Sequence, residues 1–253
     1  MKRNTQNSDN IWLYGNHTVK SIISNKKRNI SRIICTSQNY EDLKAYVLEN
    51  RRADVVDLIK VVKKEEIEKN FFSAQINHQG VAVNCSKKHI YNIDDLFREI
   101  ENSERNNHIL VLDQLTDPQN IGAIIRSAAA FGIKHIAIPN NSFPGETASM
   151  VKASSGNFEK VQIYNINNVN NMLEKIKKFG YWCVGLAGES NDSIAKIKEF
   201  EKVVIVVGSE GSGIRSLVKK NCDVLLKIDI EGGVESLNAS NAASIALYEL
   251  YKK

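Results

Sequence analysis

From His108 onward, short apolar runs alternate with segments of helical spacing. Six runs have the β-branched composition of buried strands, at residues 109–112, 135–138, 161–164, 181–186, 203–207 and 224–228. Four helices are predicted at residues 121–131, 169–179, 214–220 and 236–251. Gly132 and Gly180 are placed to terminate the first two helices. Strands that alternate with helices form βαβ units, so this half of the chain predicts an α/β fold with a mostly parallel sheet.

Three polar, glycine-containing segments follow apolar runs of this pattern. They are Asp117-Pro-Gln-Asn-Ile-Gly-Ala-Ile-Ile-Arg126, Gly208-Ser-Glu-Gly-Ser-Gly213 and Gly232-Gly-Val-Glu-Ser-Leu-Asn-Ala-Ser-Asn241. Ligands of open parallel sheets bind at the carboxyl ends of the strands. We therefore expect the three segments to face one crevice.

The middle segment has the glycine spacing of a phosphate-binding loop but not its side chains. That motif continues with Lys and Ser/Thr, whereas Ile214 and Arg215 follow here. A nucleotide di- or triphosphate is therefore a poor candidate ligand, which argues against an enzyme acting on free nucleotides. A glycine loop can still hold an adenosine through its backbone groups. A purely structural turn explains this segment, taken alone, about as well.

Arginine is rare in the second half of the chain. Residues 106–253 contain fourteen lysines and two arginines, Arg126 and Arg215, and both lie in or beside the glycine segments. The planar guanidinium fork suits a phosphate better than a lysine does. Arg126 is therefore a candidate functional residue, although a salt bridge or a helix-end interaction would also explain it.

Four further polar residues in these segments are candidates for a site. Asn120 stands at the head of the predicted helix at 121–131, where it can also act as an N-cap. Glu210 can orient Arg126, or it can cap the helix that follows it. Ser236 and Asn238 begin the C-terminal helix, and both can serve as caps.

The positive charge of the chain lies near its start. Residues 1–64 hold thirteen Lys+Arg and six Asp+Glu, so 13 − 6 gives +7, and the whole-chain charge of +5 leaves −2 for the rest. This asymmetry suggests an anionic partner such as RNA, although a solvated lysine-rich surface would look the same. The pattern predicts a disordered tail at 1–10, a small α/β domain at 11–83, a linker at 84–105 and a larger domain from 106 to 253.

Composition excludes several other classes of protein. No apolar stretch approaches the length of a membrane span, and residues 1–10 lack the apolar core of a signal peptide. We therefore expect a cytoplasmic protein that does not bind membranes. The four cysteines form no Cys-x-x-Cys pair and are expected to be buried free thiols. Neither they nor the five histidines show the spacing of metal ligands, so no metal is expected.

Taken together, the glycine segments resemble the three motifs of the SpoU/TrmH family of RNA ribose 2′-O-methyltransferases. Asn-x-Gly-x-x-x-Arg-x-Ala-x-x-Phe-Gly runs from Asn120 to Gly132. Gly-Ser-Glu-Gly-x-Gly begins at Gly208, and Ser-Leu-Asn-x-Ser-x-Ala runs from Ser236 to Ala242. The order and spacing of the three motifs agree with that family.

The resemblance covers residues 106–253 and implies a fold, a cofactor and a site. It implies a trefoil-knotted, mostly parallel sheet of the SPOUT class, S-adenosylmethionine as cofactor, and a homodimer whose active site uses both subunits. It implies catalytic roles for Arg126, Asn120, Glu210, Ser236 and Asn238. It implies cofactor contacts at Gly188, Gly208, Ile228, Ser236 and Leu237.

The front of the chain extends the resemblance. Tyr14-Gly-Asn-His and His78-Gln-Gly look like the smaller N-terminal α/β substrate-binding domain of family members that methylate a guanosine of 23S rRNA. The tRNA-modifying members lack that domain. Methylation of tRNA and a non-catalytic role in ribosome assembly are the alternatives. The chain departs from the family at Asp229 and Glu231, which add negative charge beside the expected cofactor loop.

Overall fold

The computed structural model describes residues 10–70, 76–102, 107–232, 234 and 236–252. Apart from Asn10, the predicted tail at 1–10 lies outside these residues. The contacts divide the chain into two units. One comprises Met1–His89 with Glu146–Glu159, and the other comprises Ile90–Gly145 with Lys160–Lys253.

The strands and helices follow one another in regular alternation along most of the chain. The strands are β1 Asn10–Tyr14, β2 Ile30–Cys35, β3 Ile59–Val61, β4 Val81–Ser86, β5 Tyr91–Asn92, β6 Ile109–Leu112, β7 His135–Pro139, β8 Gln162–Ile166, β9 Trp182–Leu186, β10 Val203–Val207 and β11 Val224–Leu226. The α-helices are α1 Asn16–Ser24, α2 Ser37–Glu49, α3 Lys64–Glu68, α4 Ile93–Glu101, α5 Pro118–Ala130, α6 Ala148–Ala153, α7 Val169–Lys177, α8 Ser216–Asn221 and α9 Ala239–Tyr251. Short 3₁₀ helices occupy Ala53–Leu58, Asn157–Lys160 and Ile194–Glu199.

The first unit is built on a four-stranded sheet in the order β1-β4-β2-β3. The β1–β4 and β2–β4 pairs are antiparallel, and the β2–β3 pair is parallel. The mostly apolar residues Val55 to Ile59 have the composition of a strand, but Ala53–Leu58 is a 3₁₀ helix and pairing begins only at Ile59. Val55 is buried although it lies in this helix.

Glu146–Glu159, which lies far along the sequence, belongs to the first unit. Buried Arg28 makes two contacts with Glu146: Nη1 donates to Oε2 at 3.1 Å, and Nη2 contacts Oε1. The same Nη2 lies 3.4 Å from Glu159 Oε1. The Lys88 backbone N–H donates to Glu146 Oε2 at 2.6 Å. The pKa of Lys88 falls to about 8, mainly because burial disfavours its charged form. A buried charge needs such partners, so these contacts hold the segment in the unit.

The second unit contains a seven-stranded sheet in the order β11-β9-β10-β6-β7-β8-β5. Each neighbouring pair of its strands is parallel. The prediction of a mostly parallel α/β sheet is therefore confirmed. β10 lies near the middle, and its five residues, all Val or Ile, are buried. Such a continuous β-branched run suits a strand that is covered on both faces.

The predicted boundaries of this half differ from the observed ones mainly at helix starts. α5 begins at Pro118, three residues before the prediction, and α9 begins at Ala239, three residues after it. Gly132 and Gly180 both have a φ of 79°, as expected for glycines that follow helices.

The predicted domain limits also differ from the division by contacts. Part of the predicted linker at 84–105 belongs to regular structure: β4 extends to Ser86, and β5 and α4 fall in the second unit. Within the described ranges, no helix is both long and apolar enough to cross a membrane.

Candidate active site

A cavity of about 560 Å³ opens in the second unit beyond the carboxyl ends of β9, β10 and β11. Its lining includes residues from two of the three glycine segments that the sequence analysis singled out. All five expected cofactor contacts line it, namely Gly188, Gly208, Ile228, Ser236 and Leu237. Leu186, Val207, Ile214 and Leu226 give it apolar walls. A crevice is therefore present at the predicted edge of the sheet, but two of the three segments line it and the segment at 117–126 does not.

The loop after β10 is a tight backbone turn. The Ser209 N–H donates to Gly213 O at 3.2 Å, and the Gly213 N–H donates to Ser209 O at 2.9 Å. Gly211 and Gly213 have φ values of 80° and 63°, which favour glycine. A Cβ on Gly208 would lie 2.0 Å from the carbonyl carbon of Gly213, so only glycine fits there.

Three polar side chains from distant parts of the sequence meet at the edge of this cavity. Asn120 Nδ2 donates to Glu210 Oε1 at 2.9 Å, and Asn238 Nδ2 donates to Asn120 Oδ1 at 3.1 Å. Asn238 Nδ2 also contacts Glu210 Oε1. The loop after β10 supplies the carboxylate, and α5 and the start of α9 supply the amides. One residue from each glycine segment thus joins a single amide–carboxylate cluster.

Helix capping explains how two of these side chains are positioned. The N-cap of α5 is Asp117, which accepts the N–H groups of Gln119 and Asn120 at 3.1 and 3.2 Å. The capping role considered for Asn120 is therefore wrong, and its amide is left to bind Glu210. Asn238 caps α9 by accepting the Ser240 N–H at 2.8 Å. Its two amide atoms thus serve both the helix and the cluster.

Glu210 fills neither of the roles considered for it. Its carboxylate contacts the two asparagines. The helix that follows, α8, has Arg215 at its N-cap position and no side-chain cap.

Arg126 is exposed on α5 and is not among the residues that line the cavity. It forms no ion pair or hydrogen bond with any residue in the part of the chain that the structure describes. The structural alternatives, a salt bridge or a helix-end bond, are therefore absent there. A free, permanently charged guanidinium on the helix that carries Asn120 can bind an anion from solution.

Arg215, the other arginine of this half, has a structural role. Its Nε and Nη2 donate to Asp113 Oδ1 at 2.9 and 2.6 Å, and its backbone N–H donates to Asp113 Oδ2 at 3.0 Å. Asp113 directly follows β6, and its side chain is fully buried. The pair fixes the end of the glycine loop against the neighbouring strand. Sequence reasoning missed Asp113, although a carboxylate directly after a buried strand is a recognisable signal.

The acidic residues near the cavity are partly neutralised by neighbours. Asp229 accepts from Ser193 Oγ at 2.9 Å and lies 3.8 Å from Lys227 Nζ. Glu189, which lines the cavity, pairs with Lys219, and this hydrogen bond lowers the pKa of Glu189. Lys227 thus offsets the negative charge that Asp229 was expected to add beside the cofactor loop.

The remaining candidate groups show ordinary structural behaviour. Cys35, Cys85 and Cys183 are buried, Cys222 is half-buried, and all four are free thiols, as predicted. Burial raises the pKa of Cys85, Cys183 and Cys222 to about 12, so these thiols stay protonated near neutral pH. Across the described ranges, no group of three or more His, Cys, Asp or Glu residues could hold a metal ion.

Comparison with known proteins agrees with this geometry. Residues 107–248 match the model of the SpoU rRNA Methylase family. The 23S rRNA (guanosine-2′-O-)-methyltransferase RlmB of Xanthomonas campestris is 30% identical over 244 residues, which cover 96% of this chain and 97% of that protein. An uncharacterized tRNA/rRNA methyltransferase of Synechocystis is 32% identical over 95% of this chain, which spans only 62% of that relative's length.

A solved structure shows the same fold. The SpoU methyltransferase AviRb from Streptomyces viridochromogenes, in complex with AdoMet, aligns with a TM-score of 0.75. The alignment covers 100% of this chain and 93% of that one at 20% sequence identity. At this level of identity, the likeness concerns the fold alone.

Proposed function

Because the chain belongs to the SpoU rRNA Methylase family, we propose that it transfers a methyl group from S-adenosylmethionine to a ribose 2′-hydroxyl in RNA. The observation that carries this proposal is the cluster of Asn120, Glu210 and Asn238 at the edge of the cavity. It brings a polar residue from each family motif to one place. We further propose a guanosine of 23S rRNA as the substrate, which is acted on in the cytoplasm.

The cavity suits the proposed cofactor. Its volume of about 560 Å³ lies within the range of about 300–1,000 Å³ that ligand pockets occupy. Apolar walls and the backbone of the glycine loop match an adenosine, and the absence of a phosphate-loop lysine matches a ligand without phosphates. S-adenosylmethionine supplies, when bound, a methyl group already activated on a sulfonium. Gly188, Gly208, Ile228, Ser236 and Leu237 are the proposed contacts.

The protein must then align the ribose and assist loss of a proton from a weakly acidic hydroxyl. We assign two roles to Arg126: it binds the phosphate next to the reacting ribose, and it stabilises the alkoxide that develops on the 2′-oxygen. It acts as a fixed positive charge because a guanidinium stays protonated in proteins. Glu210 and the two asparagines hold the edge of the cofactor cavity in a defined geometry. Ser236 lines the cavity and is assigned to positioning the ribose and the cofactor.

The substrate assignment rests on the relatives that match along their whole length. RlmB of Xanthomonas campestris aligns over 97% of its length, including the part that corresponds to the first unit here. The first unit also carries the surplus of positive charge, although not all of it is available. Arg28 and Arg52 are buried and pair with Glu146 and Asp54. The exposed lysines remain for RNA phosphates.

A direct test is to incubate the purified protein with S-adenosylmethionine and either rRNA or tRNA, and to map 2′-O-methyl nucleotides by mass spectrometry. We expect a new 2′-O-methylguanosine in 23S rRNA. A product in tRNA alone would replace the substrate assignment and keep the chemistry. RNA binding without any methylated product, and without binding of S-adenosylmethionine in calorimetry, would favour the non-catalytic ribosome-assembly alternative.

The glycine loop gives a prediction for cofactor binding. Gly208→Ala places a methyl group 2.0 Å from the carbonyl carbon of Gly213, so the loop must shift. We expect loss of cofactor affinity in calorimetry and a destabilisation of about 1–3 kcal/mol, typical of overpacking. Gly232→Ala is the matched control, because a Cβ there meets nothing within 4 Å and Gly232 is not among the residues that line the cavity. Equal melting temperatures for the two variants would contradict the steric argument.

We also propose the trefoil knot and the homodimer that the family resemblance implies. The order β9-β10-β6, in which a late strand lies between two earlier ones, is compatible with a knotted path and with the likeness to AviRb. Small residues on one face of α9 could let a second subunit approach closely, but Ala239, Ala243 and Ala246 are buried within the chain. Support for the dimer comes from exposed apolar side chains on α9, namely Ile245, Tyr248 and Tyr251.

The dimer prediction can be checked by light scattering. At micromolar concentration we expect twice the chain mass of 28.4 kDa. Tyr248→Glu places a charge on the exposed face of α9 and should shift the mass toward that of a monomer. Leu217→Glu is the matched control, since Leu217 is 68% exposed but lies on α8. A monomeric wild-type protein with full activity would refute the shared active site.

A further inference from the structure

The first unit contains a cavity of its own, of about 630 Å³, that the proposed reaction does not use. It lies where residues 76–80 turn into β4 and where β2 passes into α2. His78-Gln-Gly, which resembles part of the family's N-terminal domain, forms the turn at this cavity. The lining is polar, and its side chains bear no excess charge, because Lys64 and Glu68 offset each other. Neither a phosphate nor a metal ion fits such a lining.

A rigid backbone turn forms one wall of this cavity. Gln79 and Gly80 have φ values of 56° and 74°, and the first is unusual for a residue with a side chain. The Thr36 N–H donates to Gly80 O at 2.9 Å, and Asn39 Nδ2 donates to Gln79 O at 2.8 Å. A Cβ on Gly80 would lie 2.6 Å from Asn39 Nδ2 and 2.8 Å from Thr36 Oγ1. Glycine therefore keeps the turn close to this wall.

His78 has a buried ring donor that no group among the described residues satisfies. Its Nδ1 accepts the Gly80 N–H at 3.0 Å, so Nε2 carries a proton and can donate. The side chain is 3% exposed, and Nε2 has no hydrogen-bond partner among the described residues. Glu68 Oε1 lies 3.6 Å away, beyond hydrogen-bond reach. A buried donor without a hydrogen-bond partner lowers the stability of the fold. The presence of such a donor in a cavity therefore points to a ligand that accepts its hydrogen bond.

Three other lining side chains are also unused. The Thr36 hydroxyl and the Gln38 and Asn77 amides form no hydrogen bond with the residues that the structure describes. Together with His78, they offer neutral donors and acceptors in one concave site. This is the chemistry that recognises the edge of a nucleobase. A base can reach such a site only if it is unpaired and turned out of its helix.

We propose that this cavity binds one unpaired nucleobase of the RNA substrate, at a position away from the methylated nucleotide. The inference rests on the proposed function, because that function supplies the RNA. Lys63 is exposed at the N-cap position of α3 and does not line the cavity, so it can hold a phosphate beside the bound base. The first unit would then select the substrate by the shape and edge of a single-stranded segment, in addition to its charge.

The test is fluorescence anisotropy on the full-length protein with a labelled single-stranded RNA and with a duplex of the same length. The variant is Gln38→Ala with Asn77→Ala, which removes two exposed amides that have no structural partner. Loss of two hydrogen bonds should weaken single-strand binding by roughly tenfold. Duplex binding should be unchanged, because it depends on phosphate contacts. Asn29→Ala is the control, since this exposed asparagine of the first unit does not line the cavity.

The outcomes separate this inference from the proposed function. Wild-type affinity of the double variant for the single strand, or equal losses for the single strand and the duplex, would overturn the nucleobase site. In either case methylation assays and calorimetry with S-adenosylmethionine would still decide the reaction. Conversely, the selective loss would support the nucleobase site even if no methylated product formed. A KM for an rRNA fragment that rises in the double variant at unchanged kcat would add support.

Discussion

Arg126→Lys is expected to lower the single-turnover rate of methylation by about 10²–10³, the usual cost of removing one electrostatic contact to developing charge. Lysine keeps the positive charge but not the planar fork that can hold a phosphate with two donors. Because Arg126 is exposed and forms no bond with the described residues, its replacement should leave the melting temperature unchanged. Cofactor affinity should also be unchanged, since Arg126 does not line the cavity.

Arg126→Ala should lose at least as much activity as Arg126→Lys. Single-turnover rates measured beside melting temperatures separate a functional role from a structural one. A variant that is less stable but turns over normally while folded would indicate that Arg126 only supports the helix. Wild-type turnover of Arg126→Lys would remove the argument for two donors, and wild-type turnover of Arg126→Ala would remove this residue from the mechanism.

Arg215→Ala is expected to have the opposite signature, with a large loss of stability. It leaves the buried carboxylate of Asp113 without its guanidinium partner. Breaking a buried ion pair costs about 3–5 kcal/mol, and because the Arg215 side chain is 38% exposed we expect the lower end, about 3 kcal/mol. The free energy of unfolding from urea denaturation measures this cost.

Arg126→Ala serves as the matched control for Arg215→Ala, because the same substitution is made in the same unit of the protein. Combining Arg215→Ala with Asp113→Asn tests whether the unpaired carboxylate causes the loss of stability. The double variant should be more stable than Arg215→Ala alone, since the unpaired buried charge is gone. Unfolding free energies for Arg215→Ala within about 0.5 kcal/mol of the wild type, the usual range for a surface substitution, would contradict a structural role for the pair.

Six of the seven strands of the second unit could be predicted from the sequence because each has a local apolar signal, whereas the two-residue strand β5 fell in the predicted linker. The five residues at 203–207 are all Val or Ile, and the strand has the predicted limits. The crevice followed from the rule that parallel strands end at one edge. The family resemblance then implied cofactor contacts at Gly188 and Ile228, which lie outside the three motifs and have no distinctive local signal.

The contacts that position the site could not be predicted in the same way. Whether Asp117 or Asn120 caps α5 depends on where the first helical turn begins. Because α5 begins three residues before the predicted start, Asp117 is the cap and Asn120 is left to join the amide–carboxylate cluster. The pairing of Asp113 with Arg215 joins residues about a hundred positions apart. Such contacts depend on the arrangement of the strands in the sheet, which local sequence patterns do not predict.

The first unit was harder still to predict. β1 and α3 are short, and the apolar run that begins at Val55 lies in the 3₁₀ helix Ala53–Leu58 up to the start of β3. Nothing in the sequence near residues 146–159 signals that they belong with the start of the chain. Contacts in the folded protein, such as those of buried Arg28 with Glu146 and Glu159, reveal it.

That placement of Glu146–Glu159 affects how the protein can be made on the ribosome. The carboxylates that neutralise Arg28 are synthesised long after the strands beside it. At about 5–20 residues per second, residues 90–159 take roughly 4–14 s to add. During that interval the N-terminal sheet has emerged without its last segment. The first unit can therefore be completed only after Ile90–Gly145 of the second unit has been translated, and a stop before Glu159 would leave both units incomplete.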